Sequence, residues 1–406
     1  MEIRPILASL RQHRIPAVLI VLEIALACAV LCNAVFMIGQ RLDEINLPNA
    51  IDETGIADIN VHGIDPKLAN ADIPRNLAAL QGIPGIIAVT SMNTLPLTNN
   101  GWNTSVSSTP DAMVPGGHYP NVAQYFLTAG GENALGLKLL SGRFFTPDEF
   151  ADSKLDDSYM PTGNSLIVTR TLADRLWPGQ PALGRLAYVD QHHYTVVGVV
   201  ADVLRPNKQG DGKGSFYYCG FFPISPHGEI NNYVVRSAPQ DLDRVIREAT
   251  QKMEALSPDA VITSSTFSSI RDKYFDDTRS MIGMLVLVCA VMLAVTSFGI
   301  VGLTSFWVGQ RRRQIGIRRA VGATQAQIMR YFQTENFLLS TAGVVFGMLL
   351  AFGINLYLMQ HYQMNRMPWY YLPASALALW LLGQLAVFGP ARRASRVPPV
   401  VATRSV

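Results

Sequence analysis

Four long apolar runs dominate the hydropathy pattern of this chain, at residues 15–39, 281–309, 336–360 and 369–391. Glu23 is the one charged residue within them. Each run exceeds the roughly 20 apolar residues that a helix needs to cross a bilayer. A cleaved signal peptide is the competing interpretation of the first run, but such a peptide usually has an apolar segment of only about 7–15 residues. The pattern therefore predicts four transmembrane helices, the first of them retained.

The segment from 40 to 280 is polar, of mixed charge and rich in turns, which predicts a folded domain outside the cytoplasm. Near each of its ends, the hydrophobic periodicity predicts a strand, a helix and a second strand. These elements are predicted at 56–62, 74–81 and 86–92, and again at 232–237, 240–256 and 260–267. Two such units predict a split, ferredoxin-like sheet formed by about 50–103 and 230–267. The residues between them, about 104–229, are then an insertion with its own strands.

Helices are also predicted to extend the first two spans into this domain, at 40–46 and 268–279. Together they would form a stalk that holds the domain away from the membrane. The short segment 361–368 would be a loop on the same side of the membrane as the domain.

Basic residues gather in the short segments 1–14, 310–335 and 392–406. Short loops rich in arginine stay in the cytoplasm, so both termini are predicted to be cytoplasmic and the protein to lie in the inner membrane. Only 16% of the 406 residues are charged and 49% are hydrophobic, which fits a membrane protein with an attached domain. No nucleic-acid partner is predicted for a chain of net charge +3, and the arginine clusters favour contact with membrane lipids.

The loop at 310–335 carries local signals for helical structure. Gly322 is placed as a glycine just past a helix end often is. Thr324 and Gln327 match a capping box that opens a new helix, which would carry Ile328 towards the third span. The loop is therefore predicted to be structured. It contains six arginines, Arg311, Arg312, Arg313, Arg318, Arg319 and Arg330. A plainer interpretation is that they only set the topology and bind headgroups.

The stretch from 314 to 323 resembles the E-I-G-I-R-x-A-x-G-A signature of the MacB/FtsX-type ABC transporter permeases. Gln314 stands where that family usually has glutamate, which leaves open any ion pair that the glutamate would make. In the family, this loop includes a coupling helix that contacts the ATPase subunit. The resemblance therefore implies an ATPase-coupling role for Gln314, Ile315, Gly316, Arg318, Arg319, Gly322, Ala323, Thr324, Gln327 and Ile328.

The external domain resembles the same family at residues 141–145, 172–179, 181–185 and 196–202. In MacB-type proteins the two parts of that domain are named the porter and Sabre subdomains, so the insertion is expected to be Sabre-like. The resemblance covers nearly the whole chain and is weakest from 49 to 122.

The resemblance implies a non-catalytic permease subunit that works by mechanotransmission and pairs with a second copy or a paralogue. Residues 210–214 contain glycines and a lysine but lack the spacing of a Walker A motif. ATP and Mg²⁺ are thus expected in a separate cytoplasmic ABC ATPase subunit, with no cofactor bound by this chain. Only about fourteen residues precede the first span, in keeping with a permease that has no fused ATPase domain.

Efflux of a drug, peptide or siderophore through a periplasmic adaptor and an outer-membrane channel is the expected activity. The alternatives are an FtsX-like transducer that activates a cell-wall hydrolase or senses peptides, and a lipoprotein-release permease.

A few residues outside the loop are further candidates. An ionisable residue inside a span is a functional hypothesis by default, but Glu23 lies only some two turns into its span and can instead reach the interface or pair with Arg14. A GxxxG pattern, Gly343, Gly347 and then Ala351, predicts close helix packing, although glycine is also simply tolerated in membrane helices. The adjacent His192 and His193 would point to opposite faces of a strand, so no metal site is predicted. The sequence suggests no catalytic triad or disulfide framework.

Overall fold

The computed structural model describes residues 14–63, 66–110, 119–207, 214–228, 230–362 and 366–396. Its α-helices in chain order are α1 Arg14–Ile45, α2 Pro66–Gln81, α3 Gly131–Leu135, α4 Pro147–Asp152, α5 Arg170–Leu176, α6 Leu242–Leu256, α7 Phe267–Gln310, α8 Arg312–Ala320, α9 Gln325–Tyr362 and α10 Tyr371–Ser395. Its strands are β1 Ile56–His62, β2 Ile86–Met92, β3 Trp102–Ser105, β4 Asn121–Leu127, β5 Leu139–Gly142, β6 Ser165–Thr169, β7 Leu186–Val189, β8 His192–Val200, β9 Cys219–Pro223, β10 Asn232–Ser237 and β11 Val261–Thr266. The chain forms two compact units, a helical unit of 1–46 with 278–406 and an α/β unit of 47–277.

The α/β unit contains the predicted split sheet. Its first four strands lie in the order β11-β1-β10-β2, and every neighbouring pair is antiparallel. Each strand–helix–strand unit thus leaves a gap that a strand of the other unit fills, which is the ferredoxin-like arrangement. The strands β1, β2 and β10 have the predicted bounds. The predicted fold class, four apolar helices with a mixed α/β domain, is confirmed.

The largest departure from a predicted boundary in this unit is at the start of α2. The helix expected to begin at Pro74 begins at Pro66, so Pro74 lies inside α2. A proline inside a helix removes one backbone hydrogen bond. Ile73, Asn76 and Leu80 lie on one face of α2 and are buried, and the Asn76 side chain donates to the Tyr233 hydroxyl at 3.0 Å. Burial of this face against the sheet outweighs the missing bond.

The insertion extends the same sheet. Strands β4, β9, β6, β8 and β5 follow β2 in hydrogen-bonding order, and β3 and β7 pair with β4 and β8. Strands β2 and β4 pair at Met92 and Leu127, so in the described residues the insertion's strands pair mainly with one another. Their apolar side chains nevertheless share one core with the porter-like part, including Phe126, Phe222 and Tyr194.

Asp58 is a buried carboxyl in the central strand β1. It is 4% exposed, one oxygen accepts from Asn60 Nδ2 at 2.6 Å, and Oδ1 is buried without a hydrogen-bond partner. Burial raises the pKa of Asp58 to about 7. An unperturbed aspartate has a pKa of about 3.9. The folded domain therefore holds this proton across a pH range in which the unfolded chain has released it.

We expect the free energy of unfolding to fall as the pH rises from about 4 to about 7, because the unfolded state binds fewer protons in that window. Asp58→Asn should remove this fall and stabilise the domain above pH 7, by at most about 4 kcal/mol at roughly 1.4 kcal/mol per pKa unit. Hydrogen exchange of the β1 and β10 amides, compared with wild type at each pH, measures the difference. Asp174→Asn, at an exposed position of α5, is the control. Identical pH dependence in wild type and Asp58→Asn would contradict the assignment.

Among the described residues of the helical unit, four helices are long and apolar enough to cross a membrane, within α1, α7, α9 and α10. The first three predicted spans lie inside α1, α7 and α9, which continue beyond the apolar runs, whereas the fourth, predicted at 369–391, begins two residues before α10. Helix α1 is the most enclosed, because Ile20, Ile24, Cys28 and Cys32 form a core with residues of α9 and α10. The predicted segments 1–13 and 397–406 lie outside the described residues. The stalk and the cytoplasmic position of both termini stay predictions.

Candidate functional site

The loop between the second and third membrane helices forms the short helix α8 and the first turns of α9. Arg311 separates α7 from α8, with φ −99° and ψ 10°. Backbone hydrogen bonds still run through the break, from Arg311 N to Trp307 O at 3.0 Å and from Ile315 N to Arg311 O at 2.9 Å. Helix α8 is therefore joined to the membrane helix by a bend that keeps its hydrogen bonding, not by a free linker.

Gly322 ends α8 as predicted. Its φ is +101°, a conformation that favours glycine, and its N–H donates to Arg319 O at 3.2 Å. The next amide, Ala323 N, donates to Arg318 O at 3.0 Å. These two bonds are those of a Schellman motif, which satisfies the last carbonyls of a helix.

The predicted capping box at the start of α9 is also confirmed. Gln327 N donates to Thr324 Oγ1 at 3.2 Å, and Thr324 N donates to Gln327 Oε1 at 2.8 Å. Reciprocal bonds of this kind satisfy amides that the first helical turn leaves free. The turn between α8 and α9 is thus only four residues long and is capped on both sides.

A small apolar core holds α8 against α9. Ile315, Ile328 and Phe332 are at most 5% exposed and belong to one cluster, and Gly316 is buried beside them. The family resemblance implies a coupling role for Ile328. Because its side chain is buried, Ile328 can take such a role by packing within the loop and not by exposing a contact surface.

Arg311 and Glu335 form a buried ion pair beneath this core. Arg311 Nη1 donates to both carboxylate oxygens at 3.0 and 3.1 Å, and the side chains are 9% and 2% exposed. The Arg311 guanidinium also lies 5.7 Å from the ring centroid of Trp307. The sequence interpretation missed Glu335, although it is the only carboxylate from residue 278 to the end of the chain. A single acidic residue in a stretch with many arginines could have been recognised from the sequence as a candidate ion-pair partner.

The outer face of α8 combines apolar and cationic side chains. Ile317 is 49% exposed and Val321 is 84% exposed, and the amide of Val321 donates to Ile317 O, so the two lie one turn apart on the same face. Arg312 and Arg313 are exposed on the same helix. Neither Ile317 nor Val321 had been selected from the sequence, because only their exposure distinguishes them from packing residues.

A cavity of about 140 Å³ lies between α8 and α9. Two guanidinium groups, two amides, one tyrosine and four apolar residues line it: Arg311, Arg318, Gln314, Gln327, Tyr331, Ile315, Ala323, Ile328 and Phe332. The Arg318 guanidinium lies 4.9 Å from the centroid of the Tyr331 ring. Arg319 lies half-buried on the other side of α8, where its Nη1 reaches Ala323 O at 3.5 Å. The loop therefore presents cationic and apolar side chains on a helix, α8, that is held in place by its neighbours. Such a surface is suited to binding a partner and transmitting force, and not to catalysis.

Two glycines of α9, Gly343 and Gly347, face α1. A Cβ at Gly343 would lie 2.7 Å from Ile24 Cβ, and one at Gly347 would lie 2.7 Å from the Ala25 carbonyl oxygen. Ala351 is fully buried, and its carbonyl accepts from Asn33 Nδ2 at 3.3 Å. The structure thus places all three predicted packing residues where two helix backbones approach closely.

Glu23 lies against the second membrane helix. Its carboxylate fills the space above Gly299 of α7, where an added Cβ would lie 2.6 Å from Glu23 Cδ. Gly299, which the sequence interpretation did not select, leaves room for this side chain. Among the described residues, no group of three or more His, Cys, Asp and Glu side chains is arranged to hold a metal. The glycine- and lysine-containing segment 210–213 lies outside the described residues.

Two family models match the chain. The MacB-like periplasmic core domain matches residues 18–252, which is more than half of the chain, and the FtsX-like permease C-terminal domain matches residues 286–399. The second match contains the whole of α8 and the α8–α9 turn.

Curated relatives and solved structures are also similar. The macrolide export ATP-binding/permease protein MacB of Chromobacterium violaceum is 25% identical over 65% of this chain and 40% of its own length. The pyoverdine export ATP-binding/permease protein PvdT of Pseudomonas syringae pv. syringae is 32% identical over 40% of this chain and 24% of its own length. The crystal structure of the periplasmic region of MacB from Actinobacillus actinomycetemcomitans aligns with 58% of this chain and 97% of that one, at a TM-score of 0.38 and 14% identity. This chain spans less than half the length of these two curated relatives.

Proposed function

The chain belongs to the MacB/FtsX-type ABC transporter permeases, and from that premise we propose that it couples ATP hydrolysis in a partner ATPase to movement of its periplasmic domain. One matching model describes a periplasmic core domain and the other a permease C-terminal domain. Among the described residues, four helices can cross a membrane. ATP and Mg²⁺ would be bound by the ATPase, and this chain would transmit force without taking part in the chemistry. A second copy or a paralogue would complete the permease. The exposed apolar side chains of α7, such as Met284, Leu287 and Phe298, leave a surface for it.

The braced helix α8 carries the proposal. A coupling element must expose a contact surface and must also be fixed rigidly to the membrane helices that it moves. Helix α8 exposes Ile317 and Val321, while Ile315 and the Arg311–Glu335 pair fix its inner side. The Schellman motif and the capping box limit bending at its far end. We therefore assign the ATPase contact to the outer face of α8 and a supporting role to Gln314, Ile315, Gly316, Arg318, Arg319, Gly322, Ala323, Thr324, Gln327 and Ile328.

Efflux through a periplasmic adaptor and an outer-membrane channel is the activity we favour. The relatives named for macrolide and pyoverdine export support this choice, as does the large insertion that carries β3 to β9. A small molecule or peptide is the proposed cargo. An FtsX-like transducer of cell-wall hydrolases and a lipoprotein-release permease use the same coupling movement, and they differ in the protein that the periplasmic domain contacts.

We expect Ile317→Asp and Val321→Asp, singly or together, to abolish stimulation of the partner ATPase. Each replaces an exposed apolar contact by a charge, and a desolvated interface residue of this kind contributes roughly 2 kcal/mol or more to binding. Stimulated ATPase activity and co-purification of the ATPase with the permease in detergent measure the effect. Melting temperatures should stay at the wild-type value, because both side chains are exposed.

Ala326→Asp is the matched control. It adds the same charge to an exposed position of the same loop, in the first turn of α9 where a negative charge is tolerated. If the α8 variants bind and stimulate the ATPase as well as Ala326→Asp does, the outer face of α8 is not the coupling surface.

A further inference from the structure

We propose that the cavity between α8 and α9 binds the phosphate of an anionic phospholipid headgroup. The proposal concerns the cavity, which lies beside the exposed face of α8 assigned to the ATPase. It requires only that the α8–α9 turn lies at a membrane surface.

A guanidinium donor without a partner is the first argument. Arg311 is more than nine-tenths buried, Glu335 occupies its Nη1, and its Nη2 is buried without a hydrogen-bond partner. Arg318 brings a second guanidinium to the cavity, while Gln314 and Gln327 bring no charge. A buried charged donor that lacks a partner is costly, so such a group is expected to meet an acceptor in the working state.

This chain has no second acid of its own to offer from the adjoining sequence. Glu335 is the only Asp or Glu from residue 278 onwards, and the loop at 310–335 carries six arginines. An anionic acceptor would therefore come from outside this part of the chain. Guanidinium groups bind phosphate oxygens through short, directional hydrogen bonds. The volume of about 140 Å³ is many times the roughly 10–15 Å³ that holds one water, so a phosphate group fits.

Depth in the membrane favours a lipid over a carboxylate of a soluble partner. The apolar run of α7 ends at Gly309, and that of α9 begins at Asn336. Arg311 lies two residues after Gly309. Tyr331 lies five residues, or about 7.5 Å of helix, before Asn336. The headgroup layer is about 5–7 Å thick on each side of the hydrocarbon core. Arg311, at the inner end of the cavity, lies in that layer, and Tyr331 lies at its outer edge, where interfacial aromatic residues are common.

The test uses the full chain reconstituted in vesicles that contain phosphatidylcholine and phosphatidylglycerol. Native mass spectrometry of the protein extracted from them gives the ratio of phosphatidylglycerol to phosphatidylcholine that it retains. Wild type should be enriched in phosphatidylglycerol. Arg318→Gln should lower the enrichment about fivefold, the effect of one basic contact with an anionic lipid. Gln314→Glu should lower it at least as much, because the new carboxylate would occupy the Arg311 and Arg318 guanidinium groups.

Arg313→Gln is the matched control, since it removes the same charge from an exposed position outside the cavity. Equal losses in Arg313→Gln and Arg318→Gln would overturn the proposal, because they would show attraction to the net charge of the loop alone. Displacement of phosphatidylglycerol by inorganic phosphate at equal concentration would assign the cavity to a soluble anion and not to a lipid. Unchanged lipid retention in Gln314→Glu, with weaker ATPase binding, would assign it to a carboxylate of the ATPase and would also overturn the proposal.

Discussion

Replacing Gly347 by leucine should prevent α1 and α9 from packing and should lower the melting temperature of the protein by about 5–10 °C in detergent. Its Cβ would lie 2.7 Å from the Ala25 carbonyl oxygen and 3.1 Å from Ala25 Cα. Both atoms belong to the backbone of α1, so the clash cannot be relieved by turning a side chain. Overpacking of this kind costs about 1–3 kcal/mol or more. In a domain of this size, each kcal/mol lowers the melting temperature by roughly 2–4 °C.

Gly353→Leu is the control on the same helix, because no heavy atom lies within 4 Å of the Cβ position there. Both variants add the same side chain to the same span, so membrane insertion should be equal. Thermal unfolding of the purified proteins separates them. Equal melting temperatures for Gly347→Leu and Gly353→Leu would mean that α1 and α9 do not depend on close approach at this point.

Local signals in the sequence predicted local structure well. The predicted bounds of β1, β2 and β10 agree with the structure, and the turn at Gly322 and Thr324 has hydrogen-bonding partners within four residues. The four spans follow from length and hydropathy alone. In each of these cases the signal lies within the segment itself, although the strands pair with partners far along the chain.

The sequence was less informative where distant residues decide the outcome. Helix α2 continues through Pro74 because its buried face packs on the sheet, and no local signal reports that packing. Ile328 is apolar in the same way as Ile317, yet the first is 5% exposed and the second 49%. A helix of nine residues is too short for its hydrophobic periodicity to distinguish a packing face from a binding face.

The roles of charged residues in the helical unit were the hardest to predict from the sequence, because they depend on tertiary contacts. Glu23 was a candidate because it lies in a span, but its position over Gly299 depends on how α1 and α7 approach each other. Arg311 was one of six arginines in the loop, and only its distance to Glu335 distinguishes it from the other five. The pair is separated by 24 residues and by the whole of α8, so no helical spacing rule could connect them.

Glu335→Gln should release α8 from the membrane helices and abolish coupling. The substitution keeps the shape of the side chain but leaves the Arg311 guanidinium charged, buried and without its counter-ion. Breaking a buried ion pair on one side costs about 3–5 kcal/mol, because the remaining charge is uncompensated. The least costly response is for Arg311 to turn outwards to water, and this residue is the joint between α7 and α8. Helix α8 would then lose its fixed position while α9 stays in place through Gly343 and Gly347.

Hydrogen exchange in phosphatidylcholine nanodiscs tests this consequence directly, in a membrane without anionic lipid that could replace the carboxylate. Amides of residues 312–320 should exchange faster in Glu335→Gln, and amides of 343–351 should not change. The double variant Arg311→Met with Glu335→Leu is the control, since an apolar pair of similar volume leaves no buried charge and is often neutral or stabilising. It should restore slow exchange in α8. If the double variant exchanges as fast as Glu335→Gln, or if neither differs from wild type, the ion pair does not hold the coupling helix.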